Sequence, residues 1–239
     1  MKGLIALVGA GEYLPVMNEV DRYLLDHSTA NGAAPRVVCL PTASGQEGAE
    51  SWQRWNKMGE QHFRGLGAEV HALPIIDRPS ADDERFAETI EAADLIYFSG
   101  GNPGYLYKTM LGSKAWAAAE KAWERGAVYA GCSAGAMILG QHMPDIRTAG
   151  LRRLAAFGTV SASIIMPHFD QIPRWAPMMV ALVRNRLKNA EFALGIDEDT
   201  ALIGKPGEDW HVQGRQKVHV ITKQEVKSYS AGEKVIFPA

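Results

Sequence analysis

The sequence predicts an α/β fold: a doubly wound, mostly parallel sheet flanked by helices, with a small antiparallel C-terminal extension. Three observations predict it. Short apolar runs alternate with longer amphipathic stretches through the first half of the chain. The runs lack polar alternation, as strands covered on both faces do. Small-residue turns follow several runs at their carboxyl ends, where such sheets gather their sites. In order, residues 4–8, 37–40, 70–73, 95–98 and 128–130 read as buried strands. Between them, residues 15–26, 48–66, 82–92 and 114–125 read as helices. The second half is less regular. Residues 161–165, 193–196 and 201–203 read as strands, and residues 173–188 as a helix opened by proline. Residues 210–212 and 218–222, five residues apart, predict a hairpin, and the tail from 226 to 237 adds one or two edge strands.

The chain of 239 residues suits one domain spanning 1–239, with length enough for a sizeable core. Apolar content of 46% and a net charge of -2 are ordinary for a soluble protein. No basic run exceeds Arg152-Arg153, so nucleic acid and anionic membranes are not expected partners. The first apolar run is too brief for a leader and no run could cross a bilayer. Cys39 and Cys132 match no zinc or redox spacing, and a cytoplasmic location follows most simply. Neither a metal nor a cofactor is expected. The turn Gly9-Ala10-Gly11-Glu12 falls short of a dinucleotide fingerprint because Leu14 stands where glycine is required. Glu12 is expected to face the crevice at the strand ends.

Gly131-Cys132-Ser133-Ala134-Gly135 carries the chemistry. It is G-x-S-x-G between an apolar run and the helix-compatible Ala136-Met137-Ile138-Leu139. That is the setting of a nucleophile elbow, in which small flanking residues let the chain turn sharply and expose one hydroxyl. Ser133 is then the nucleophile, and the Ala134 N–H an oxyanion donor. Ser99-Gly100-Gly101-Asn102 follows another strand, and paired glycines admit close approach of backbone to ligand. A backbone N–H of this turn is the expected second oxyanion donor, with Gly100 and Asn102 beside the substrate. Among seven histidines, His168 ends a strand and is placed to take the serine proton and return it to the leaving group. Asp145, Asp170 and Glu198 are each candidates for the acid that orients this base, and spacing alone does not choose among them.

These segments resemble the peptidase E and cyanophycinase family of serine peptidases, relatives of class I glutamine amidotransferase domains. The resemblance rests on Phe98-Ser99-Gly100-Gly101-Asn102, Gly131 to Ala136, Pro167-His168-Phe169 and Gly195-Ile196-Asp197-Glu198-Asp199-Thr200-Ala201, in family order. It implies an amidotransferase-like sheet, a triad of Ser133, His168 and Glu198, and an oxyanion hole of the Gly101 and Ala134 N–H groups. It also implies a small peptide or isopeptide substrate, with an acidic or polar residue on the acyl side, and cleavage through an acyl-enzyme. Where cyanophycinases carry several arginines after the histidine, this chain has Asp170-Gln171-Ile172-Pro173-Arg174. Arg174 and Asp170 are therefore the nearby charged candidates for substrate contact, Arg174 because it can pair with a carboxylate. A homodimer is one expectation for assembly.

Three other readings compete. An α/β-hydrolase esterase would run serine, acid, histidine, and so need Asp197 or Glu198 with His211 or His219. A glutaminase would need Cys132 as nucleophile. A non-catalytic binding or sensor domain would keep the crevice without the full triad.

Overall fold

The structure, a computed structural model, describes residues 2–144, 152–172 and 177–238. The first apolar runs form β1 (Ile5–Val8), β2 (Arg36–Leu40), β3 (Glu69–Ala72), β4 (Leu95–Phe98) and β5 (Val128–Cys132). The amphipathic stretches form α1 (Asn18–Asp26), α2 (Ala49–Gly65), the short α3 (Arg78–Ala81), α4 (Glu84–Glu91), α5 (Pro103–Met110), α6 (Lys114–Arg125) and α7 (Ala134–Met137). Local chemistry sets the helix ends. Ser113 caps α6 by accepting the Trp116 N–H, and Gly126 closes it at φ 118°, a left-handed value that glycine adopts without steric cost. Asn102 caps α5 in the same way, with Pro103 as its first residue.

The later strands are β6 (His142–Pro144), β7 (Arg153–Ala155), β8 (Ile164–Met166), β9 (Ala193–Ile196), β10 (Thr200–Gly204), β11 (Trp210–Gly214), β12 (Lys217–Ile221), β13 (Val226–Ser230) and β14 (Lys234–Val235). The central sheet has eight strands in the order β14-β11-β10-β1-β5-β4-β2-β3. Its run from β1 to β3 is parallel throughout, and β10, β11 and β14 extend it antiparallel. The expected class is therefore present, a mostly parallel sheet flanked by helices. Alternate residues explain why its strands are apolar throughout. Ile5, Leu7, Ile96 and Phe98 join one core with Ile90 of α4 and Trp116 and Trp123 of α6. Ala6, Val8, Leu95 and Tyr97 join the opposite core with Val20 and Leu24 of α1 and Phe63 of α2. Each large side chain so buried contributes about 1.5–3 kcal/mol.

A six-stranded sheet, β13-β12-β9-β8-β6-β7, packs beside it. Here the expected hairpin is corrected. β11 pairs with β10 and β14, whereas β12 pairs with β9 and β13, so the two strands lie in different sheets. The chain leaves β11 at Gly214, whose φ is 103°. A Cβ there would lie 2.3 Å from the Asp199 carbonyl oxygen, so only glycine fits the crossing. The link from β9 to β10 makes the same change of sheet alongside it. The Arg215 N–H donates to the Asp199 carbonyl at 2.9 Å and the Asp197 N–H to the Lys217 carbonyl at 3.1 Å. Two crossings thus form one seam between the sheets. The C-terminal strands are antiparallel, as expected, but they are shared between both sheets instead of forming one small extension. The helix expected over 173–188 is described as Pro177–Arg186, and residues 173–176 lie outside the described residues.

Candidate active site

β5 delivers Ser133 to the carboxyl edge of the central sheet. The Ser133 N–H donates to the Val8 carbonyl at 2.9 Å, which continues the β1 ladder up to the turn. The backbone then reverses sharply, with Ser133 at φ 49° and ψ -105°, a conformation that an L side chain rarely adopts. The glycines on either side are required by space. A Cβ on Gly131 would lie 2.3 Å from the Gly135 carbonyl oxygen, and one on Gly135 would lie 2.6 Å from that of Phe98. The turn after β4 lies against the serine: a Cβ on Gly100 would be 3.4 Å from Ser133 Cβ and 3.9 Å from Oγ. Gly101, at φ 138°, abuts the Ala43 backbone. Among the described residues, the N–H groups of Gly101 and Ala134 have no hydrogen-bond acceptor.

The six-stranded sheet supplies the other half. His168 follows β8, itself at a positive φ of 51°. Its Nε2 lies 3.2 Å from Ser133 Oγ and its Nδ1 2.8 Å from Glu198 Oε1. Glu198 sits in the first crossing of the seam. Asp170 Oδ1 accepts the Glu198 N–H at 2.9 Å. The Gln171 amide donates to Asp170 Oδ2 at 2.7 Å and reaches Glu198 Oε2 at 3.4 Å. Gln216, in the second crossing, donates to the Glu198 carbonyl at 3.0 Å. The His168 and Glu198 side chains remain 44% and 36% exposed. A hydroxyl, an imidazole within reach of its proton and a carboxylate on the far ring nitrogen stand in line, an arrangement that can activate a hydroxyl for attack.

Several sequence expectations change in contact with this geometry. Both Asp170 oxygens accept bonds within the protein, Oδ1 from the Glu198 N–H and Oδ2 from Gln171, so Asp170 holds the Glu198 turn. The Gly100 N–H is likewise occupied, by Glu12. Asn102 spends its Oδ1 on the α5 cap, which leaves its Nδ2 to donate. Arg174 and Asp145 lie outside the described residues. His219 bonds Asp197 at 3.0 Å and Ser228 at 2.8 Å, and His211 is exposed on β11, so neither serves Ser133. Cys132 is buried, and burial with Glu12 beside it holds its thiol well above the ordinary range. Gln171 and Gln216 went unremarked in the sequence, where a glutamine in a loop carries no distinguishing signal.

A cavity of about 440 Å³ opens on the histidine side of Ser133. Met137, Ile164, Met166, Ile172 and Val183 line it, together with Arg153 and Arg186. Arg153 is tied to Glu191 at 3.2 Å and to the Arg186 carbonyl at 2.8 Å. Among the described residues no three or more His, Cys, Asp or Glu side chains group as metal ligands do, and no helix is long and apolar enough to cross a membrane.

Fold and site together define a serine-type hydrolase built on an α/β sheet. The chain belongs to peptidase family S51, whose model matches residues 5–208, and it is a serine-type peptidase. It is 29% identical over 206 residues to the uncharacterized peptidase YgaJ of Bacillus subtilis (strain 168), covering 84% of this chain and 83% of that protein. It is 26% identical over 213 residues to the cyanophycinase of Geminocystis herdmanii (strain PCC 6308), covering 85% and 75%. Among solved structures it is similar to a peptidase from an acI-B1 Actinobacterium, at 36% identity and a TM-score of 0.90, covering 99% of this chain and 98% of that one. A putative peptidase E protein from Listeria monocytogenes EGD-e shares the fold, at 19% identity and a TM-score of 0.60 over 97% and 100% of the two chains.

Proposed function

We propose that this peptidase cleaves a small peptide or isopeptide through an acyl-enzyme on Ser133, within one catalytic unit formed by the whole chain. The observation that carries the reading is the unbroken hydrogen-bond chain from Ser133 Oγ through His168 to Glu198. His168 Nε2 takes the serine proton as Oγ attacks the carbonyl carbon. Glu198 holds the Nδ1–H and stabilises the imidazolium that forms. The carbonyl oxygen, now an anion, faces the N–H groups of Gly101 and Ala134. His168 then protonates the leaving nitrogen and the C–N bond breaks. Water then attacks the ester carbon while His168 takes its proton; the C–Oγ bond breaks, His168 returns the proton to Ser133 Oγ and the acid leaves.

The family likeness supports an acidic or polar residue on the acyl side, with Arg174 and the Asn102 Nδ2 as its contacts. Free, buried Cys39 and Cys132 support a reducing, cytoplasmic setting. A fluorophosphonate tests the mechanism directly. Mass spectrometry of the labelled wild type is expected to find a single adduct on the Ser133 peptide. An adduct on another residue, or none on folded protein, would overturn the assignment.

A further inference from the structure

Glu12 stands at a junction that the steps above do not use. It follows β1 and is only 8% exposed. Its Oε1 accepts the Gly100 N–H at 2.9 Å, and its Oε2 accepts the Cys132 thiol at 2.9 Å. One carboxylate therefore joins the ends of three neighbouring strands, β1, β4 and β5. Both partners directly precede a residue with a chemical assignment: Gly100 precedes Gly101, and Cys132 precedes Ser133.

The turn after β4 needs such a tie. Two successive glycines have wide backbone freedom, while an oxyanion donor must be held within about half an ångström of its productive position. On the far side of Gly101, the Asn102 N–H is fixed to the Ala43 carbonyl at 2.8 Å. On the near side, the fixed point is Glu12. A Cβ on Gly100 would meet Glu12 Oε1 at 2.9 Å and Ser133 Cβ at 3.4 Å. Glu12 and Ser133 thus both border the position that a side chain at 100 would occupy.

We propose that Glu12 is a positioning residue: its carboxylate sets the spacing between the Gly100-Gly101 turn and the Ser133 strand end, and so aims the Gly101 N–H at the developing oxyanion. This rests on the reading of Ser133 and Gly101 given above. Glu12 acts through the backbone and touches no reacting atom.

The test uses the full-length protein and a fluorophosphonate over a concentration series, which separates the maximal rate of phosphonylation from the apparent affinity. Rates are normalised to the folded fraction by circular dichroism. Glu12→Ala is expected to slow the maximal rate by roughly tenfold to a hundredfold, as displacement of an oxyanion donor does, with apparent affinity unchanged. Glu12→Gln keeps a carbonyl oxygen for the Gly100 N–H and is expected to recover most of the rate. If Glu12→Ala does not fold, Glu12→Asp withdraws the carboxylate by one methylene and is expected to slow the maximal rate in the same way. Folded Glu12→Ala or Glu12→Asp reacting at the wild-type rate would overturn the proposal. Equal losses in the Gln and Ala variants, or a change confined to affinity, would overturn it too. Wild-type protein left unlabelled at Ser133 would instead refute the reading of the nucleophile, before any variant is compared.

Discussion

The two halves of the candidate site are held in different ways. The serine half belongs to the central sheet and is fixed by close-packed backbone around a buried carboxylate: the Val8 carbonyl, the paired glycines around the elbow and the Gly101 contact with Ala43 leave it no room, and Glu12 ties the turn after β4 to the strand end. The histidine half belongs to the second sheet, and side chains add to the backbone bonds of the seam that carries it. Asp170, Gln171 and Gln216 hold the Glu198 turn by hydrogen bonds, at positions that remain partly open to solvent. The contrast teaches where each half can fail. The serine half fails when volume is added, because close-packed backbone cannot relax. The histidine half fails when a polar group is removed, because its geometry is the sum of a few bonds.

The largest break in this comparison is the loss of the nucleophile. Ser133→Ala is expected to abolish fluorophosphonate labelling and to cut peptide hydrolysis by about five to six powers of ten, with stability changed by less than about 1 kcal/mol. Kinetics and a thermal melt on the same sample check both parts. Next comes the acid. Glu198→Gln preserves shape but presents the wrong partner to the ring, and kcat is expected to fall by about 10⁴-fold; a loss under tenfold would move the orienting role elsewhere. Asp170→Ala reaches the same half one bond further out. Loss of a charged acceptor for the Glu198 N–H is expected to cost about 1.5–3 kcal/mol, roughly tenfold to a hundredfold in kcat/KM.

The smallest effect sharpens the comparison from the buried side. Burial raises the Cys39 thiol to about 12 and the Cys132 thiol well above its ordinary range. A raised value keeps each group protonated at pH 8, and the thiol form is not the nucleophile. Iodoacetamide at that pH is therefore expected to leave native protein unalkylated and fully reactive toward fluorophosphonate, with both cysteines modified only after denaturation. Activity lost in step with Cys132 alkylation would place the chemistry on the thiol.

Much of the serine half was legible in the sequence. G-x-S-x-G after an apolar run specifies a sharp strand-to-helix turn, and the run itself reads as a doubly covered strand because both faces of β5 meet core. His168 and Glu198 were legible as candidates from their places at predicted strand ends, but lone polar residues carry no period, and it was the family pattern that singled Glu198 out from Asp145 and Asp170. The bond from Asp170 to the Glu198 N–H was not legible, because it depends on two distant turns meeting at the seam. The hairpin expectation failed for a related reason. β11 and β12 both alternate correctly, but alternation specifies a face and not a partner. The short β6 and β7 carried no legible signal, being three residues each.

The seam also bears on how the active molecule is made. Cys132 and Glu12 are separated by 120 positions along the chain, and the contacts of His168 with Ser133 and Glu198 span 35 and 30. Contacts of such separation close only after much of the chain has already paid its ordering entropy, and they form late in topologies dominated by distant pairings. β10 follows the first crossing and β12 the second, and the two crossings together hold the Glu198 turn beside His168. With the triad proposed above, reactivity needs both crossings in place, so a chain that has not formed them carries Ser133 without its base and acid partners. In a refolding time course, fluorophosphonate reactivity should return with the slowest phase seen by tryptophan fluorescence and not with the early recovery of helix.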